Sequence, residues 1–142
     1  EHLGLKAVIA QTAQAAMEAA DIMVSAVTMT PGLPPFINAD WMRPGSLAIG
    51  TDMPTSWIHH KMKSFDRIYV DDSAQEAALS SPLARDRLIF ADLADLVLGT
   101  KPGRTNDQER LAFMFRGLSL ADLALASLGY KKARDAGLAA AI

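Results

Sequence analysis

Apolar residues in this chain fall into short, nearly continuous runs, and these alternate with segments whose apolar positions recur every three or four residues. Runs of the first kind suit strands buried on both faces of a parallel sheet, and segments of the second kind suit helices laid against it. Lys6 to Ala10 (KAVIA) is the first run and predicts a strand. QTAQAAMEAA follows, with Thr12 placed to cap a helix and Ala13, Ala16, Met17 and Ala20 at helical spacing. Asp21 closes that helix, and Ile22 to Thr28 (IMVSAVT), β-branched and almost wholly apolar, predicts a parallel core strand.

The next stretch, MTPGLPPFINADW, holds Pro31, Gly32, Pro34 and Pro35 and predicts a surface loop, because proline lacks the N–H donor and fixes φ. Arg43, Pro44 and Gly45 turn into SLAIGTD, a second strand ending at Asp52, and Asp66 to Asp72 (DRIYVDD) supplies a third. Ser73 to Ser80 begins with a capping serine and has Glu76 three positions on, the spacing of a capping box. Asp92 to Leu98 predicts another short helix stopped by Gly99, and KPGRTNDQ a turn-rich connection. RLAFMFRG then predicts a strand, and Leu118 to Ala136 the longest helix. That helix carries Leu118, Leu120, Leu123, Leu125, Leu128 and Tyr130 nearly all round its axis, so it needs cover from another domain or subunit. Strands at this spacing with crossovers between them predict an α/β fold with a doubly wound parallel sheet.

Composition narrows the function classes. The chain has 142 residues, 50% of them hydrophobic, which is enough for one domain with a core. Its formal net charge of −2 and scattered Lys and Arg provide no basic field for nucleic acid. Cysteine is absent, which removes disulfides, thiolate metal sites and cysteine nucleophiles and fits a reducing cytoplasm. His59 and His60 are adjacent, so on a helix they point about 100° apart and read as surface residues rather than as metal ligands. No apolar run reaches the roughly 18 residues that span a bilayer, so no membrane partner is expected. The chain starts without methionine inside an apparent element, which reads as a fragment or a processed form.

Ligands of an open parallel sheet sit outside the carboxyl ends of the strands, which here are Ser25 to Thr28, Gly50 to Asp52, and Asp71 with Asp72. Gly50 lets a flat ligand approach the backbone. Asp52 has two readings: a carboxylate for proton transfer, or a cap for the segment after Pro54. Trp41 and Trp57 read as packing anchors, and Asp71 and Asp72 as a strand-end turn with ribose contact as the alternative. Arg104 is either a structural ion-pair partner or a site residue.

The ordered segments AADIMVSAVT, DWMRPGSLAIGTDMP, DRIYVDD, DLADLVLGTKPGRTNDQE and GLSLADLALASLGYKKARDAG resemble the ornithine cyclodeaminase and mu-crystallin family over nearly the whole chain. Gly45, Gly50, Asp52, Pro54, Asp71, Gly103, Arg104, Gly117, Asp122 and Tyr130 fall where that family's pattern puts them. The resemblance implies an NAD(P)-binding Rossmann-type domain joined to a dimerisation and substrate domain, with redox or deaminating chemistry on an amino acid or cyclic imine. By the same resemblance Asp52 is the catalytic residue that exchanges a proton with the substrate nitrogen. Ser25 and Val27 match positions on the cofactor's adenosine side. Ile49, Gly50 and Thr51 match those under the nicotinamide, and Phe115 and Gly117 close the same site.

The departures matter as well. Thr55 and Ser56 stand where the family often has a Gly-Lys pair, and Phe115 with Arg116 replaces a smaller, serine-containing motif. No two glycines are separated by a single residue, so the glycine-rich phosphate loop is expected to lie before Glu1. Residues 1–100 therefore read as the later part of a partial Rossmann-type domain, and residues 101–142 as a strand and helix that pack on a further domain. The expected function is that of an NAD(P)-dependent oxidoreductase or cyclodeaminase, inactive as an isolated piece, and most often a homodimer. The alternative is a non-catalytic binding or dimerisation module that kept the fold and lost the chemistry. The strand at Lys6 lacks its usual neighbour and must pair elsewhere or detach.

Overall fold

The computed structural model describes residues 4–84 and 88–138. Five apolar runs become strands: β1 (Ile22–Ser25), β2 (Leu47–Gly50), β3 (Arg67–Val70), β4 (Ile89–Asp92) and β5 (Leu111–Met114). They form one sheet in the order β1-β2-β5-β3-β4 with every pairing parallel. Three helices flank it, α1 (Ala13–Glu18), α2 (Ser73–Ala78) and α3 (Leu93–Leu98), and a long helix, α4 (Ser119–Asp135), follows β5. This is the partial Rossmann-type α/β fold with a long last helix that the pattern predicts.

Register explains how the two faces differ. Ser25, Gly50, Met114 and Val70 form one row across four strands, and Val24, Ile49, Phe113 and Tyr69 form the next. Successive residues of a strand point to opposite faces, so the first row joins Ala48, Ile68 and Ala112 over the larger core. Met17 of α1, the segment 37–42 and residues 57–65 cover that face. The second row forms a smaller cluster of Tyr69, Ala91 and Leu111 with Leu47, Leu96 and Phe113, under α3.

Capping follows local chemistry. Thr12 caps α1 by accepting from Ala15 N, as expected. Gly99, at φ 71, ends α3 in the left-handed conformation that glycine tolerates best. Asp92 and Asp95 form a reciprocal capping box at the start of α3. For α2 the cap lies one residue earlier than predicted: Asp72 accepts from Gln75 N, while Ser73 donates to Asp92. A carboxylate is the better acceptor for an N-terminal amide, so Asp72 takes the role.

Other expectations are corrected. Residues 6–10 form no strand, and Val8 and Ile9 are exposed. A strand exists only through its neighbour's hydrogen bonds, and none reaches this run, so it detaches. β1 is accordingly the sheet edge among the described residues and stops at Ser25, with Ile22 and Val24 exposed rather than buried on both faces. The proline loop is only partly superficial, because Ile37 and Ala39 are buried. The amides of Phe36 and Ile37 both donate to Ser56 O, at 2.8 and 2.9 Å. β4 is an unpredicted strand, and β5 lies at the centre of the sheet between β2 and β3. The strand of residues 101–142 thus completes the sheet of the preceding residues, and only α4 leads away from it. Leu120, Leu123, Leu125 and Leu128 on that helix are all exposed.

Candidate active site

The carboxyl ends of β1 and β2 lie side by side, and Asp52 follows β2 by two residues. Its carboxyl is buried and turned toward β1. Oδ1 accepts from Ser25 Oγ at 2.9 Å, while Oδ2 accepts from Ser56 Oγ at 2.5 Å and from Val27 N at 3.4 Å. Ser25 Oγ in turn accepts from Trp57 Nε1 at 3.0 Å. Met53 adopts φ 54, rare for a residue with a side chain, and so bends the chain back to place Ser56 and Trp57 beside the aspartate. Thr55 Oγ1 donates to Asp52 O at 3.3 Å and Trp57 N to Pro54 O at 3.1 Å, which close that turn. Asp52 therefore ties β1 to the turn through side-chain hydroxyls rather than capping the turn through its amides.

The residues expected to meet a cofactor lie on two sides of the sheet edge. A Cβ on Gly50 would stand 2.6 Å from Met114 Sδ and 3.8 Å from Asp52 Oδ1, so this glycine belongs to the core side with Ser25 and Asp52. Ile49 lies on the opposite face with Phe113, whose ring centroid is 6.3 Å from that of Phe115. The hydroxyl of Thr51 and its amide both donate to Ser25 O at 2.9 Å. Val27 is half-buried at the end of β1. Gly117, at φ 106, donates its amide to Asp71 Oδ2 at 2.6 Å. Ser25 and Thr51 are thus engaged within the protein, whereas Ile49 and Phe115 offer apolar surface.

Three hollows open beside these groups, one of them along Met17, Ser25, Val27 and Ile37. Another, of about 270 Å³, is lined by Thr28, Met29, Thr30, Pro31, Leu33, Thr55 and Ser56, with no charged side chain among them. Ser56 thus belongs both to its wall and to the Asp52 cluster. The third, of about 340 Å³, is wholly apolar and lies on the Ile49 face between Leu47, Tyr69, Leu93, Leu96 and Phe113.

A second buried acidic cluster follows β3. Asp71 Oδ2 accepts from the amides of Arg116 and Gly117, at 3.2 and 2.6 Å. Glu76, fully buried on α2, accepts from Arg116 Nε at 2.5 Å and from Leu83 N at 2.7 Å. Arg116 also donates to Ser81 O at 2.9 Å. The hydrogen bond to Glu76 raises the arginine's pKa above its ordinary value, against the opposing effect of burial. Arg104 donates to the carbonyls of Glu109 and Ser46, so its role is to hold the 102–110 loop against β2. Glu109 is paired with Arg67 at 2.9 Å. Asp72 is the cap of α2, and His60 is exposed.

Sequence reasoning missed Ser56, Trp57 and Glu76 as members of these clusters. Ser56 stood out only as a departure from a family pattern, and Trp57 as an anchor. Trp57 is fully buried and packs on Phe65 with ring centroids 5.5 Å apart, so the anchor reading holds. Its indole bond to Ser25 spans 32 residues and has no local signature.

Comparison with known proteins agrees with this architecture. The chain is 30% identical over 117 residues to the alanine dehydrogenase of Archaeoglobus fulgidus, covering 75% of this chain and 36% of that protein. It is 27% identical over 150 residues to the Delta(1)-pyrroline-2-carboxylate reductase of Bacillus thuringiensis subsp. konkukian, covering 97% and 45%. The structure of Thermococcus litoralis Delta(1)-pyrroline-2-carboxylate reductase, solved with NADH and L-proline, superposes with a TM-score of 0.75 at 23% identity, over 94% of this chain and 44% of that one. The chain thus spans less than half the length of these relatives. The model of the ornithine cyclodeaminase/mu-crystallin family matches residues 1–137, and the chain belongs to that family.

Proposed function

We propose that this chain carries the proton-transfer side of an NAD(P)-dependent oxidoreductase or deaminating cyclase acting on an amino acid or cyclic imine, with Asp52 as the acid–base group. The observation that carries the reading is the buried Asp52 carboxyl at the carboxyl ends of β1 and β2, held by two hydroxyls beside an uncharged hollow. A general acid or base needs a fixed position and a path to its ligand, and this arrangement offers both. The relatives support the substrate class, since those compared act, by name, on alanine or on a five-membered cyclic imine acid.

The residues present fit one end of a dinucleotide. Ile49 and Phe115 offer apolar surface at the strand ends, and Gly117, at φ 106, takes the chain away from Phe115 in a conformation that glycine adopts best. They do not fit a pyrophosphate, because no two glycines of the chain are separated by one residue to cluster backbone N–H groups. When bound, a nicotinamide supplies or accepts the hydride. Asp52 holds or releases the proton at the side of the hollow that Ser56 lines.

The test is Asp52→Asn in the full-length protein, assayed with NADH and NADPH. We expect turnover of a cyclic imine acid to fall by about 10²-fold or more while cofactor affinity stays within about twofold. A variant with full turnover would overturn the assignment. A second reading, a binding or dimerisation module without chemistry, is favoured by the exposed Leu120, Leu123 and Leu128 of α4. It requires that neither cofactor bind saturably and that charging Leu123 abolish a homodimer seen by light scattering.

A further inference from the structure

We propose that Ser56 is the proton relay between a ligand in the hollow and Asp52, an inference that rests on the acid–base reading of Asp52. The hollow is walled by Ser56 and not by the aspartate, so a ligand there reaches the carboxyl through the serine. Ser56 Oγ donates to Asp52 Oδ2 at 2.5 Å. A hydroxyl has one donor and two acceptor positions, so while Ser56 donates to the carboxyl its oxygen remains able to accept from the ligand.

The other groups on Asp52 do not line this hollow. Ser25 Oγ already accepts from Trp57 Nε1, at 3.0 Å on the core side. Val27 contributes a backbone N–H, which can donate but not receive a proton. Among the threonines of the hollow, Thr30 Oγ1 donates to Thr28 O at 3.2 Å and Thr55 Oγ1 to Asp52 O at 3.3 Å, both to backbone carbonyls. Ser56 therefore joins the hollow to the carboxyl. It is also held in place, between the turn at Met53 and the fully buried Trp57.

The ligand class follows from the walls. Met29, Pro31 and Leu33 suit a small apolar ring, and the absence of a charged wall residue leaves Asp52, through Ser56, to balance a protonated ring nitrogen. In the transfer the N–H bond of the cationic ligand breaks and its proton passes to Ser56 Oγ. The serine's own proton moves to Asp52 Oδ2, and the ligand nitrogen keeps the electron pair. The reverse sequence protonates an imine nitrogen, and neither direction consumes an oxidant or reductant.

The test compares the full-length wild type with its Ser56→Ala, Ser56→Thr and Asp52→Asn variants, using Delta(1)-pyrroline-2-carboxylate and NADH or NADPH. Ser56→Ala is expected to lower kcat about 10²-fold with KM within about twofold, and Ser56→Thr to restore most of it. The proton inventory in mixed H2O and D2O should be curved in wild type and Ser56→Thr, for two protons in flight, and linear in Ser56→Ala. A readout without turnover is the indole ¹H–¹⁵N resonance of Trp57, which reaches Asp52 through Ser25. L-proline should shift it in wild type and Ser56→Thr but not in Ser56→Ala. Wild-type kcat and a curved inventory in Ser56→Ala, with Asp52→Asn inactive, would overturn the relay and leave the function standing. An active Asp52→Asn would overturn the function itself. A Trp57 resonance unmoved by L-proline in wild type would overturn the path from hollow to carboxyl.

Discussion

Two buried aspartates follow neighbouring parts of the same sheet edge, yet they are held by different kinds of donor. Asp52 is bound by the hydroxyls of Ser25 and Ser56, with one longer bond from Val27 N. Asp71 is bound by the backbone amides of Arg116 and Gly117. A hydroxyl rotates, and it both donates and accepts, so its bond can pass a proton on. A backbone N–H in a fixed chain does neither. The first arrangement suits chemistry and the second architecture. Asp71, with the Glu76–Arg116 pair beside it, fixes the course of the chain from β5 through Gly117 into α4.

The architectural cluster should therefore dominate stability. Glu76→Ala strips a buried partner from Arg116 and from Leu83 N, leaving a largely buried guanidinium uncompensated. We expect a loss of about 3 kcal/mol, the lower end for a broken buried pair because Arg116 keeps some contact with solvent and with Ser81 O. Urea unfolding measures it, and a loss below about 1 kcal/mol would show that the pair is replaceable by water. Asp71→Ala comes next. It leaves two amides without their acceptor, for about 2 kcal/mol, and should speed hydrogen exchange at Gly117 more than at Gly50.

The same contrast between local and distant partners decides what the sequence revealed. The Thr12 cap, the Gly99 stop and the long last helix rest on contacts within a few residues, and all three form where the pattern places them. The run at Lys6 has strand chemistry but no strand, because pairing depends on a neighbour that local pattern does not encode. Ser73 was the predicted cap for α2, but its contact with Asp92, nineteen residues away, leaves that role to Asp72. At the site, Asp52, Gly50 and Ser25 stood out by their position at strand ends. The links from Trp57 to Ser25 and from Ser56 to Asp52 depend on the left-handed backbone at Met53, a conformation that methionine does not announce.

If hydroxyl partners can re-orient, Asp52→Asn should cost less than either architectural variant, about 1 kcal/mol, because Ser25 and Ser56 can rotate to accept from the new amide. Thermal unfolding checks this against its effect on turnover. A small loss of stability with a large loss of turnover keeps the division between the clusters, and a loss as large as that of Asp71→Ala would merge them.

Asp92, at the end of β4, supplies an effect of similar size at neutral pH and a control for charge. Its pKa lies below that of a free aspartate, held down first by the amide of Asp95 and then by the Ser73 hydroxyl. A depressed pKa stabilises the folded state above the unfolded value near pH 4, and the contribution disappears as pH falls through the folded value. Asp92→Ala should therefore cost about 1 kcal/mol at neutral pH, where the capping box is charged. The difference from wild type should shrink below about pH 4. Asp40 and Glu109 also have lowered values, but they titrate alike in both proteins, so the difference between the two acid unfolding curves isolates Asp92. A difference that stayed constant with pH would assign the cap's effect to shape rather than charge, and Asp92 would then resemble Asp71 only in position.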